Sequence, residues 1–188
     1  MPGDARDRDG SGRPRNARPR DGLGRPLDPL DPAGTGTGTA AGEDRIPDGL
    51  VITGRDAAVL ADRLLRDGRP FHAHEVLESA WKNGPPDERD LWQGLAQIAV
   101  GLTHARRGNA RGAVALLRRG AERIHGYRAS ARTHAATGTG KRGGDSQPFV
   151  MDVVVFVAVA EDLADRIERG GLDGITSADL APRLLAGA

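Results

Sequence analysis

The chain has no cysteine. That excludes a disulfide framework, a thiolate metal site and a cysteine nucleophile, although it does not by itself fix a compartment. Aromatic residues are scarce, at 3% of 188 residues, so any core is built mostly from Leu, Val, Ile and Ala. An excess of one charge is lacking too. The 27 Lys and Arg face 26 Asp and Glu, and a formal net charge of +1 argues against binding nucleic acid by bulk charge. Lysine occurs only at Lys82 and Lys141. With the abundance of Arg, Gly and Ala, this has the look of coding bias in a GC-rich genome. The most apolar run, VVVFVAVA from Val153 to Ala160, is far shorter than the ~20 residues of a membrane span, and EDLADR follows it at once. The N-terminus is charged and shows no secretory signal. A cytoplasmic protein is expected, with no membrane segment and with nucleic acid an unexpected partner.

Residues 1–45 are dense in Gly, Pro, Arg and Asp and nearly free of large apolar side chains. Ordering a backbone costs about 1–2 kcal/mol per residue, which such a segment has no burial to offset, so it reads as a disordered tail. Between Arg6 and Arg25 it carries seven Arg against three Asp. An arm for acidic surfaces is one reading. A solvated tail is favoured, because acids and bases balance at eight each through Arg45 and no aromatic is present for stacking.

Residues 46–188 read as one all-α domain of about five to six helices, packed as antiparallel hairpins. TGRDAAVLADRLLRDG spaces Ala57, Leu60, Ala61, Leu64 and Leu65 helically, with Thr53 as N-cap and Gly68 as stop. A second helix is expected from Pro70 to Lys82, ended by NGPPDE, and a third from Glu88 to Arg107, ended by Gly108 and Asn109. Asn109 is placed to cap a fourth, from Ala110 to about Tyr127, whose apolar stripe includes Ala113, Leu117, Ala121 and Ile124. Residues 129–147 read as a mobile, polar, Gly-rich loop. From Ala110 to Asp145, eight Arg or Lys face Glu122 and Asp145, a basic surface suited to an acidic partner or simply solvated. Residues 148–188 hold C-terminal helices. The first has Phe149, Val153, Phe156, Ala160, Leu163 and Ile167 on one face, and a short last one is capped by Ser177 and opposed by Pro182.

The polar residues of the second and third helices draw the eye. At about 100° per residue, Ala73, Val76, Leu77, Ala80 and Trp81 form the core arc of FHAHEVLESAW. Phe71, His74, Glu75 and Glu78 form a second arc, with His74 on the border, Glu75 furthest out and His72 on the far side. The third helix carries no formal charge from Leu91 to Ala105 and should be the buried central one. Its exceptions, Gln93, Gln97 and His104, lie within about 40° of one another. Gly94 and Gly101 sit beside them at about 1 kcal/mol each relative to Ala, and close approach of another helix would explain them. In an antiparallel hairpin Glu78 comes level with about Gln93 and His74 with about Gln97. The expected cluster is therefore His74, Glu78, Gln93, Gln97 and His104, with Glu75 at its edge.

AHEVLE-x2-W, then WQGLAQ, then His104 before GN-x2-GA, resembles the bacterial and archaeal domain of unknown function family 309. The matching positions are Ala73, His74, Glu75, Glu78, Trp81, Gln93, Gly94, Leu95, Gln97, His104, Gly108, Asn109, Gly112 and Ala113. They lie within a family-like core at 69–127. The resemblance implies a small fold of packed helical hairpins and no established activity. Ala96, where a larger aliphatic is common, and the long 129–147 loop depart from the pattern without touching the polar cluster.

Three readings of that cluster follow. His74 and Glu78, at i and i+4, can ligate one ion from one face, with His104 or Glu75 as a third ligand. The same candidates, His74, Glu75, Glu78 and His104, could serve hydrolase-like acid–base chemistry. No cofactor is expected, a divalent metal being the alternative. An interaction module for a protein or small-molecule partner, with a homodimer as a variant, is the second reading. The third is architecture, a satisfied hydrogen-bond network that sets helix register. A structural or interaction role is favoured over an enzyme.

Overall fold

The structure is a computed structural model and describes residues 51–137 and 151–185, with only the backbone over 132–137. The tail expected at 1–45 and most of the expected 129–147 loop lie outside these residues. The described chain folds into five α-helices: α1 (Gly54–Arg66), α2 (Pro70–Asn83), α3 (Arg89–Arg106), α4 (Ala110–Thr137) and α5 (Val153–Gly170), with a 3-10 turn (Pro86–Glu88) before α3. No β-strand occurs among the described residues. Each helix packs on the next in chain order, α1 on α2, α2 on α3, α3 on α4 and α4 on α5.

The turns follow from their sequences. Gly108 closes α3 at φ +77°, a region that costs a side-chain-bearing residue and that glycine enters freely. Asn109 then accepts from Gly112 N at 2.9 Å through Oδ1, the expected cap of α4. Thr53 does sit at the N-cap of α1, but its side chain makes no capping hydrogen bond.

α3 lies between α2 and α4, and eleven of its eighteen residues are buried. Its contact with α4 is unusually close. A Cβ on Gly94 would lie 2.6 Å from Ile124 Cγ1 and 2.9 Å from Gly120 O, and one on Gly120 would lie 2.7 Å from Gly94 O. One on Gly101 would meet Leu117 at 2.9 Å. The glycines of the central helix are thus accounted for by helix approach. Ile98 packs in that contact beside Gly120, and Leu95 and Leu102 fill the core next to it, all three at 0–1% exposure and each contributing roughly 1.5–3 kcal/mol.

Two expectations are corrected. α4 continues to Thr137, ten residues beyond Tyr127, because the stretch from Arg128 is rich in the strong helix formers Ala and Arg and the glycines begin only at Gly138. Among the described residues no α-helix follows Ser177. Thr176 N and Oγ1 donate to Asp179 Oδ2 at 2.7 and 2.6 Å, and Arg166 Nη1 donates to Asp179 Oδ1 at 2.7 Å, which makes a turn instead. These donors hold the Asp179 carboxyl well below the usual carboxylate range.

Beyond the turn, Leu180 and Leu184 are buried, and the chain returns to α1. Asp62, only 5% exposed, accepts from Leu184 N at 2.8 Å and Leu185 N at 3.1 Å through Oδ1, and from Arg66 Nε at 2.9 Å through Oδ2. Asp152 N in turn donates to Leu184 O at 3.0 Å.

Replacing Gly120 by Ala should lower stability by about 1–3 kcal/mol in urea denaturation, since its Cβ meets backbone. Gly126→Ala, where the added methyl meets nothing, should raise it by up to about 1 kcal/mol. Asp62→Ala should cost about 1–3 kcal/mol by stranding the buried Leu184 amide and the half-buried Leu185 amide, and should speed hydrogen exchange at Leu184.

Candidate functional site: a polar furrow over the central helix

Between Leu91 and Ala105, only Gln93, Gln97, Val100 and His104 escape full burial. They share an arc about 60° wide. Half-buried residues of the flanking helices face the same way. On α4 four half-buried residues, Gly112, Leu116, Arg123 and Tyr127, lie on one arc about 60° wide, whereas the half-buried Ala110, Val114 and Arg128 lie on another side. Three observations lay that arc beside the arc of α3. Gly112 adjoins His104, Arg123 Nη1 pairs with Asp90 Oδ1 at 2.7 Å, and Tyr127 is near Glu88 and Asp87. Burial, reinforced by those two carboxylates, pushes the Tyr127 phenol above its usual pKa. On α2, Ser79 accepts a hydrogen bond from Ile52 N just ahead of α1. The opposite border of α2, with His74, Glu78 and Trp81, is therefore turned toward α3. The result is a furrow floored by α3 and walled by α2 and α4. A shallow hollow of about 360 Å³, lined by Asp90, Arg119, Glu122, Arg123, Gly126, Tyr127 and Ser130, opens at its Tyr127 end.

No hydrogen bond among the described residues joins the five residues expected to cluster to one another. Glu78 Oε1 pairs with Lys82 Nζ at 2.9 Å on its own helix. Asn109 Nδ2 donates to His104 Nδ1 at 2.7 Å, which ties His104 to the α3–α4 turn. Both local partners outcompete a cross-helix contact because they cost no rearrangement of the hairpin. Glu75 is half-buried, and His72, expected on the far side, is buried at 8% exposure. Trp92 is core, and its Nε1 donates to Glu88 Oε2 at 2.9 Å, whereas Trp81 is half-buried against the core.

Four polar atoms of the furrow walls and floor are buried without a hydrogen-bond partner: His74 Nδ1, Trp81 Nε1, Gln97 Oε1 and Arg123 Nε. Burial lowers the His74 pKa, Glu78 opposes the shift and Lys82 reinforces it, so the imidazole is neutral at pH 7. Among the described residues no three His, Asp or Glu side chains gather as a metal ion requires. Sequence reasoning missed Val100, the Trp81 indole and the α4 wall. The wall was visible as a 60° arc but was masked by attention to the apolar stripe of that helix.

Fold and furrow together define a small helical-hairpin protein with a half-open polar groove. Residues 60–116 match the family described as Domain of unknown function (DUF309), which spans α1 to the start of α4 and includes every residue of the expected cluster. The chain is also similar to an uncharacterized protein, YpuF, of Bacillus subtilis (strain 168), at 48% identity over 48 residues. That match covers 25% of this chain and 28% of the relative's length. No solved structure matches.

Because His74 has a folded pKa below its ordinary 6.5, its contribution to stability is complete above pH ~6.5 and is lost as pH falls from there toward the folded value. Titration of the His74 imidazole by NMR should give a midpoint below 6.5. His74→Gln should flatten the corresponding acid limb of the stability curve.

Proposed function

We propose that this protein is a binding module whose furrow takes up a partner segment rich in amide groups, an extended peptide above all. The observation that carries the reading is the set of buried, unpartnered atoms at His74, Trp81 and Gln97. An indole N–H donates only, an amide oxygen accepts only, and a neutral imidazole nitrogen does one or the other. A ligand that answers all three must supply donors and acceptors together, as a peptide backbone does. Leaving such atoms unsatisfied costs on the order of 1–3 kcal/mol each, a cost that a purely architectural seam would not carry. The adjoining Arg119 favours an acidic side chain on that segment, Arg123 being engaged by Asp90.

Two substitutions separate binding from architecture. Gln97→Leu removes an orphaned acceptor, so it should leave stability unchanged or raise it by about 1 kcal/mol. Peptides selected from a random library on the wild-type protein should lose binding to Gln97→Leu and His74→Leu. If Gln97→Leu instead destabilises by about 1–3 kcal/mol, and no peptide is enriched on the wild type, the seam is architectural.

A second reading rests on the neutral His74 imidazole beside Glu78, which has the protonation state a general base needs at pH 7. It predicts a hydrolytic activity that falls as His74 protonates and disappears in His74→Gln.

A further inference from the structure

α5 closes the stack, with α4 beside it. Its inward face is Phe156, Val157, Ala160, Leu163, Ala164 and Ile167. The opposite face is also apolar over its first half. Val154, Val155 and Val159 are 52%, 53% and 40% exposed, three of the five large apolar side chains exposed among the described residues. Ala158 lies exposed between them. Water-facing Val on three positions of two turns is a patch that ordinary surface composition does not produce. No helix among the described residues is long and apolar enough to cross a membrane.

Charge identifies what covers the patch. The same face continues into Asp162 and Asp165, which are exposed. Asp165 is engaged by Arg118 at 2.9 Å, and Glu161 by His125 at 2.9 Å. Asp162 has only a 3.7 Å approach from Arg166, whose closer partner is Asp179. At the other end of the helix lies Arg183, exposed and, among the described residues, in no ion pair. It precedes Leu184, whose carbonyl holds Asp152 N at the start of α5. A cation in no ion pair among the described residues thus marks one end of the Val patch and an under-engaged carboxylate the other. Such a surface is complementary to itself turned end for end.

We propose that two copies of this chain pair through α5, antiparallel, about a two-fold axis between Val155 and Ala158. In that register Val154 meets Val159 of the second copy, and Val155 meets Ala158. The small Ala158 lets the helix axes approach to the roughly 8–10 Å of packed helices. Asp162 of each copy then reaches Arg183 of the other. A two-fold contact repeats every pairing twice, so the arrangement closes as a dimer and does not propagate. Being small, the contact should dissociate on dilution.

Sedimentation equilibrium of the full chain over a wide concentration range tests this. A monomer–dimer equilibrium is expected. Val155→Glu, a change at an exposed position, should weaken association at least tenfold with the helical circular dichroism unchanged, and Val159→Lys should do the same. Asp162→Arg should weaken it several-fold, and the double variant Asp162→Arg, Arg183→Asp should restore it. The proposal is overturned by a wild type that stays monomeric at the highest concentration. A dimer indifferent to both valine substitutions, or a charge-swapped double variant that associates no better than Asp162→Arg alone, overturns it equally.

Discussion

The near-contact of α3 and α4 governs the rest of the structure. Three glycines, Gly94 and Gly101 on one helix and Gly120 on the other, let backbone approach side chain and backbone at distances no Cβ would permit. Each glycine gives up about 1 kcal/mol of helix propensity. The return is packing: with the helices this close, Ile98, Leu117 and Ile124 interdigitate at 0% exposure in a chain that has almost no large aromatics to fill gaps. α3 is thereby enclosed by α4 on one side, α2 on another and the core on a third. Only one arc is left to water, and Gln93, Gln97, Val100 and His104 occupy it. The furrow is the residue of that enclosure, so its floor is as rigid as the core beneath it.

Much of this was legible in the sequence because it is local. Helical periodicity, Pro70 in a first turn, Gly108 past a last one and Asn109 as a cap each act within a few residues. They place the ends of α1 to α3 and the start of α4 within a residue or two. What failed was either averaging or distance. The segment after Tyr127 ends in glycines at its far end, although six of its first ten residues are the strong helix formers Ala and Arg. Asp62 looks like a solvated acid on an amphipathic helix. It is buried because two amides 122 and 123 residues away need an acceptor, and nothing near Asp62 announces them. Ser177 looks like a cap, but Asp179 engages Thr176 and Arg166 first.

The furrow shows the same division. Helical wheels bring His74, Glu78, Gln93, Gln97 and His104 to one side of a hairpin. Wheels do not decide who bonds to whom. Lys82 lies one turn from Glu78, and Asn109 lies just past the helix that carries His104, so both capture partners that a cross-helix network would have needed. The consequence is an imbalance within a few ångströms of core. Several buried polar groups of the core are answered, Trp92 by Glu88, Thr103 by Ala99 O and Asp62 by the C-terminal segment. Those at His74, Trp81 and Gln97 are not.

That contrast bears on what the molecule is built to do. A fold that spends a buried carboxylate to secure its own C-terminal segment has the means to satisfy polar groups. Four of the unsatisfied ones, at His74, Trp81, Gln97 and Arg123, lie along the furrow, while Arg106 Nε, beside Gly68, lies outside it. A stability-driven arrangement would have replaced Gln97 with Leu, a change of similar volume that removes the penalty. Keeping polar atoms at a cost, on a rigid floor and beside an opening, is how a binding surface holds its donors and acceptors in place before the partner arrives. The exposed valines of α5 lie at the end of the stack, away from that floor. Self-association there would leave the furrow of each copy open, and two furrows held at a fixed spacing bind a repeated or paired ligand more tightly than either alone.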